Sequence, residues 1–487
     1  MTRVYKNSTE IAQLHGIPIY MNDLVDACLV GRLNLFLQGD TGSGKTQLAR
    51  DAMSYFPDRS LFVLGRNDMD TRELFQQINL HKLNYKPSYQ LEPLVNPETG
   101  EVEWYYPQLT DGGVFAPKKL TREQADRVRR SLESLAENST NLRELTSNIN
   151  NRICVVDELP NCVPAVRAQL FNIFDGFIEI SGKAYPFGNY FTMVYPNGDV
   201  KLLEGAVPIA DLEKLRAEGI EMRSDNYSVG IATGNIGQQF TESSNDLGRA
   251  IKDRMHVIID TDHFFPRPSD TLEILAGNTN PRVEFTEGGE GDEKRIIEKY
   301  QTLNRQSIPL SKLIVANYLL HGLDYCNNGE SKRKMGVAWP NKVEKHEKGS
   351  DEALVMPASP RAAKSIIRLS QALDDVSLAR GAAQEDIDSG AVDSMLQAYK
   401  LVSTYSGILD ESAVRNVYDG NHYAAMDAVL RATRGEFDRH KENIATGLYM
   451  VRNTKKDAKV MNLFTGRWQF MRDTLEGLLK SVRRDEK

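Results

Sequence analysis

The chain has little of what several protein classes require. Four cysteines in 487 residues, Cys28, Cys154, Cys162 and Cys326, form no CxxC pair. That excludes a disulfide framework and leaves free thiols in a reducing compartment as the reading. The histidines number eight and are scattered, so no zinc-ligand spacing is visible. No apolar run approaches the ~20 residues of a membrane helix. The first twenty residues are polar and mixed, unlike a signal peptide. Membrane insertion is therefore not expected, and the expected location is cytoplasmic. Basic charge is also short: Lys plus Arg is 60 against 67 Asp plus Glu, a net charge of −7. This argues against a surface built throughout for nucleic acid but leaves room for a local basic strip. The apolar set is 40% and the charged set 26%, which is globular composition rather than disorder. The length gives a prior of about three domains.

Short β-branched runs occur at 33–38, 60–64, 153–156, 227–233 and 256–260, with helical patterns between them. This alternation predicts parallel βαβ units over roughly residues 17–262. Three stretches interrupt it. Residues 84–117 hold turn signals and an alternating aromatic strand. Residues 118–150 keep a helical spacing. Residues 177–203 read as two hairpins, FIEISGKAYPF and TMVYPNGDVKL. Beyond 262 the pattern is helical, at 307–322, 359–374, 390–404, 422–434 and 458–482.

Gly39-Asp40-Thr41-Gly42-Ser43-Gly44-Lys45-Thr46 fits G-x-x-x-x-G-K-[ST]. A chance match in a chain this long is about a one-in-sixty event at ordinary glycine frequency. The motif also follows a strand and opens a helix beginning near Gln47. Glycines let the backbone wrap a phosphate, and the helix N-terminus faces the anion. Lys45 is placed to reach the β- and γ-phosphates of ATP, and Thr46 to ligate Mg²⁺. Residues 39–47 are thus the expected nucleotide-binding set. Ile153-Cys154-Val155-Val156-Asp157-Glu158 is an apolar strand ending in two acids. Beside a phosphate loop, Asp157 is the expected Mg²⁺ anchor and Glu158 the base for the attacking water. Asn235 ends the next strand, where an uncharged polar group can orient that water. Arg254 precedes the fifth strand. Ser359-Pro360-Arg361 opens a helix, with proline in its first turn.

In their order, GDTGSGKT, VVDELPN, ATGN, KDRM and SPRA resemble the motif series of AAA+ ATPases, and within them the MoxR group. The resemblance covers about residues 17–402. Glu101-Val102-Glu103-Trp104 with Asp111-Gly112-Gly113 is similar to the helix-2 insertion of that clade, and 169–189 to its pre-sensor hairpin. It implies an AAA+ α/β core with a parallel sheet between helices over 1–262, carrying hairpin insertions at about 84–150 and 177–226. A helical lid over 263–402 and a helical extension over 403–487 follow. It implies that Asn235 is the first sensor, Arg361 the second sensor facing its own subunit's nucleotide, and Arg254 a finger reaching a neighbour's, with Arg249 as rival. It further implies a homo-oligomeric ring, most simply a hexamer, acting on a protein client. Two departures stand out: Pro160 occupies the usual asparagine position after the acid pair, and Gly234 replaces a glutamine. The alternatives are a nucleic-acid motor, disfavoured by net acidity and by hairpin tips poor in Lys and Arg, and a nucleotide-gated scaffold with little turnover, disfavoured by Glu158 and Arg254 together.

Overall fold

In the computed structural model, the residues described are 4–69, 74–78, 92–109, 115–127, 143–180, 182–188, 191–194, 200–203, 209–210, 221–224, 227–235, 252–277, 280, 282–285, 288–289, 291–326, 330–335, 350–453 and 456–485. The chain divides into two compact units. One comprises Met1–Met69 with Asn150–Lys487, the other Asp70–Ile149.

The first unit begins with a hairpin, β1 (Glu10–Leu14) and β2 (Ile17–Tyr20), followed by helix α1 (Met21–Gly31). The strands β3 (Leu35–Gln38), β4 (Ser60–Leu64), β5 (Ile153–Asp157), β6 (Val229–Gly234) and β7 (Val257–Asp260) then build one sheet, in the order β7-β3-β6-β5-β4, with every neighbouring pair parallel. The three central strands are buried along their whole length. This is why they read as unbroken apolar runs rather than as alternations. Helix α2 (Lys45–Met53) follows β3, and α3 (Pro164–Phe174) follows β5. Register sets the two edges of the sheet. Gln38 lies beside Gly234 and Asp260, so the loop from Gly39 leaves at the carboxyl edge together with Asp157. Asn34 and His256 lie just before β3 and β7, at the opposite edge.

Phe177–Ile180 and Lys183–Pro186 pair as the first expected hairpin. Phe191–Val194 and Val200–Leu203 pair as the second, joined by Glu221–Ser224 as a third strand. The turn 195–199 and Arg249 lie outside the described residues.

The helical region is α4 (Pro268–Gly277), α5 (Asp292–Arg305), α6 (Leu310–Asn317), α7 (Pro360–Ala379), α8 (Ala391–Ser403), α9 (His422–Arg452) and α10 (Phe470–Asp485), with shorter turns between. Helix α9 runs 31 residues, well past the expected 434, and the expected helix 458–482 is broken between Met461 and Phe470 by a turn containing Gly466. Residues beyond 402 share the first unit's core: Phe464, Trp468 and Leu475 are buried in the same cluster as Tyr318 and Leu319. A buried ionic knot fastens them. Arg467 Nη1 donates to Asp351 Oδ1 at 2.6 Å, and its Nη2 lies 2.9 Å from Glu352 Oε2. Tyr318 and Thr433 hydroxyls donate to Asp351 Oδ2 at 2.7 and 2.9 Å. Removing one partner of such a pair strands a buried charge. Arg467→Met is accordingly expected to cost about 3–5 kcal/mol in chemical denaturation, and a loss well under 1 kcal/mol would contradict this reading.

The second unit holds a three-stranded antiparallel sheet, Glu92–Val95, Val102–Leu109 and Phe115–Leu120, and a short pair, Gln76–Ile78 with Arg143–Leu145. The turn Asn96–Gly100 closes on Gly100 N–H donating to Asn96 O at 2.9 Å. Residues 118–150 are therefore not one helix. Residues 118–120 finish a strand whose Lys119 pairs across to Glu103 at 2.6 Å, and 143–145 are a second strand. Of the described residues there, 122–127 are α-helical and Ser147–Asn150 form a 3-10 turn.

Candidate functional site

The phosphate loop turns through Gly42 and Gly44 at φ of +86° and +83°. A side chain at Gly44 is excluded twice, by this left-handed backbone and by the Tyr5 ring, 2.8 Å from where a Cβ would sit. Lys45 is buried, and its Nζ donates to Gly39 O at 3.0 Å and Asp40 O at 2.7 Å. Burial pulls its pKa down, while the Glu158, Asp262 and Asp157 carboxylates oppose that shift.

Thr46 Oγ1 donates to Asp157 Oδ1 at 3.1 Å, which brings the first residue pair of α2 against the end of β5. A hydroxyl and a carboxylate side by side are the hard oxygen donors that Mg²⁺ takes, and Mg²⁺ commonly needs only one or two protein ligands plus phosphates. The pair fits that ion. Thr233 Oγ1 also donates to Asp157 and accepts the Glu158 N–H at 3.1 Å, so one hydroxyl fixes both acids. Glu158 sits at φ +57°, a left-handed conformation rare outside glycine, which turns it off the strand axis. Its Oε1 accepts from Asn235 Nδ2 at 3.2 Å, while Asn235 Oδ1 is buried without a partner among the described residues. A carboxylate and an orphaned acceptor side by side suit a water that donates to both. Burial, then the Asp157 charge, pushes the Glu158 carboxyl up, against a lowering by Lys45. A raised carboxyl is a better base near neutral pH.

Gln47 follows Thr46 in the first turn of α2. Its carboxamide is committed to Asp51 Oδ1 at 2.9 Å and to both backbone groups of Glu284, at 3.0 and 2.9 Å. That side chain serves the fold.

The two arginines meet elsewhere. Arg254 Nε donates to Asp175 Oδ2 at 2.8 Å, and Arg361 Nη1 lies 3.5 Å from Asp175 Oδ1. Asp175 ends α3, and Asn34 Nδ2 donates to the neighbouring carbonyls of Phe174 and Arg254 at 2.6 and 3.0 Å. Arg361 lines a cavity of about 400 Å³ with Arg32, Lys364, Arg368 and His256. All of this is at the amino edge of the sheet, about 16 Å of strand from the phosphate loop. Arg361 was expected over its own nucleotide; instead it stands beside Arg254. The cause is the docking of α7 against α1, which holds its first turn at that edge.

The two departures from the expected motif explain each other. A Cβ on Gly234 would lie 2.5 Å from Pro160 Cδ and 2.6 Å from its Cγ. Proline after the acid pair thus requires glycine before Asn235. Gly234→Ala is expected to destabilise the fold by about 1–3 kcal/mol through overpacking, and Pro160→Ala to recover most of that. A denaturant double-mutant cycle tests this; strictly additive effects would contradict it. Sequence reading passed over Thr233 and Asp175. Thr233 stands inside the ATGN motif and was legible there, whereas nothing local marks Asp175.

Residues 34–178 match the profile of the AAA domain, dynein-related subfamily. No curated protein sequence matches the chain. Among solved structures, a candidate ATPase from Cytophaga hutchinsonii is similar at 15% identity over 85% of this chain and 88% of that one, with a TM-score of 0.45. A full-length MCM homolog from Methanopyrus kandleri is similar at 11% identity over 78% of this chain and 55% of that one, with a TM-score of 0.32. Both are too distant to carry any statement about the site. The matched stretch contains the phosphate loop and the Asp157–Glu158 strand end, so the chain carries an AAA domain and is an ATPase.

Proposed function

We propose that the chain is a Mg²⁺-dependent, ring-forming ATPase of the MoxR type that hydrolyses ATP between subunits and uses the cycle to remodel a protein client. One observation carries the reading. Arg254 and Arg361 share Asp175 at the edge of the sheet opposite the phosphate loop of their own chain. Two guanidiniums there cannot serve that loop, but a neighbour's nucleotide brought to this edge would meet both.

Within each site Lys45 and the loop N–H groups hold the phosphates, and Thr46 with Asp157 would hold Mg²⁺, which supplies charge neutralisation at the β- and γ-oxygens. Glu158 accepts the proton of the attacking water, and Asn235 orients that water. The arginines of the adjoining subunit stabilise charge on the transferred phosphoryl group. Asp175 keeps them in place until then.

A protein client is favoured over nucleic acid by the net charge of −7 and by a hairpin, Phe177–Pro186, whose tip offers Lys183 alone as a cation. No helix among the described residues is long and apolar enough to cross a membrane. We place the protein in the cytoplasm as a hexamer. Sedimentation of the full chain with ATP against specific activity tests the assembly: activity is expected to rise with protein concentration as the ring forms. Full activity in a purely monomeric sample would contradict it.

A further inference from the structure

The residues beyond 402 match no part of the motif series, yet two of their tyrosines reach the phosphate loop through a single turn. Tyr405, just after α8, donates its hydroxyl to Asp260 Oδ2 at 2.9 Å. Tyr423, in the first turn of α9, accepts the Asp260 N–H at 3.3 Å and stacks on His263 with ring centroids 4.2 Å apart. The other Asp260 oxygen accepts the N–H groups of Asp262 and His263 at 2.9 and 3.3 Å, which closes the turn 260–263. That turn grips the loop at two points. Asp262 Oδ2 accepts the Asp40 N–H at 2.7 Å, and Thr261 Oγ1 bonds Ser43 Oγ at 2.8 Å and Gln38 O at 2.9 Å.

We infer that Tyr405 and Tyr423 are positioning residues for nucleotide binding, holding the phosphate loop in shape through the Asp260–Asp262 turn. Neither belongs to the loop itself. Each hydroxyl fixes Asp260, Asp260 fixes the turn, and the turn fixes Asp40 and Ser43. The C-terminal helices thereby become part of the nucleotide site, and whatever engages them changes nucleotide affinity, with reciprocal effect. This rests on the loop being the nucleotide site but not on ring formation or on the arginines.

The test uses the full chain and fluorescently labelled ADP with Mg²⁺. Tyr405→Phe deletes a hydrogen bond to a charged group and is expected to weaken binding about tenfold. The apparent KM for ATP should rise with it, while kcat at saturating ATP and the melting temperature stay near wild type. Tyr399→Phe is the control: it removes another buried hydroxyl on α8, one without a hydrogen-bond partner among the described residues, and should leave binding unchanged. Asp262→Ala should weaken binding as well, and combining it with Tyr405→Phe should add little, because both act through one turn. Wild-type affinity in Tyr405→Phe, an equal loss in Tyr399→Phe, or full additivity with Asp262→Ala would overturn the inference. If Tyr405→Phe does not fold, Tyr423→Phe, which removes the acceptor of the Asp260 N–H, is expected to weaken binding in the same direction by a smaller factor, and wild-type affinity there overturns the inference. A wild-type chain that binds no nucleotide would instead overturn the loop assignment itself.

Discussion

Glu158→Gln is expected to bind ATP and to hydrolyse it at least ~10²-fold more slowly than wild type. The substitution keeps the shape of the side chain and can still bond Asn235, which now meets Glu158 Oε1 at 3.2 Å. It removes the proton acceptor. The pH profile should separate this loss from a loss of shape. Burial and the adjacent Asp157 push the Glu158 carboxyl above its ordinary value. The base works only when deprotonated, so wild-type kcat should fall as pH drops through that raised pKa, on a limb shifted up from the ordinary glutamate value. The residual activity of Glu158→Gln should lack this limb. Lys45→Ala should fail differently, because it withdraws the buried cation from the phosphates and should bind nucleotide poorly. Steady-state rates and nucleotide titrations of the two variants check the division of labour. Equal loss of binding in both would contradict it.

Removing the Arg254 side chain should have a larger effect on rate. Arginines that complete a site from outside are worth ~10³ to 10⁵ in rate in well-characterised phosphoryl-transfer enzymes. Arg254→Ala should lose activity on that scale while binding nucleotide as wild type, since nothing in its own loop changes. Arg361→Ala should fall in the same class, because Arg361 stands 3.5 Å from the same Asp175 carboxylate. A cis-acting Arg361 would instead weaken nucleotide binding to its own chain. Asp175→Asn gives the opposite sign of information. It frees both guanidiniums from their shared anchor, so assembly should persist while the rate falls by less than in either arginine variant.

How much of this could be read in the sequence depended on how local each signal was. The three central sheet strands were legible because burial on both faces makes each an unbroken apolar run, as in Ile153–Val156, and the edge strands by their β-branched and aromatic residues. The phosphate loop was legible because its glycines and lysine are consecutive. Helix boundaries fared worse. Helix α9 runs on to Arg452 through a polar stretch that keeps no continuous apolar stripe, with Tyr449 exposed near its end. Residues 118–120 and 143–145 hold strand structure through pairing with distant segments, which no helical spacing reveals. The placement of Arg361 was not legible either. Motif order gives the sequence of elements, but which edge of the sheet receives the first turn of α7 follows from its packing on α1. Pro160 and Gly234 each looked like a lone departure, 74 positions apart in the chain, until the contact between them was seen. Tyr405 and Tyr423 carried no motif at all; their hydrogen bonds to Asp260 are purely tertiary.

Mixing Arg254→Ala with Lys45→Ala full-length chains tests hydrolysis between subunits most directly. Each variant alone should be nearly inactive. In mixed assemblies, a chain with an intact phosphate loop but no Arg254 can sit beside a chain that supplies Arg254 but lacks Lys45. ATPase activity of the mixture should therefore recover in part, rising with the fraction of such pairs. A mixture that stays as inactive as its components, while sedimentation shows both chains in the same assemblies, would contradict hydrolysis between subunits.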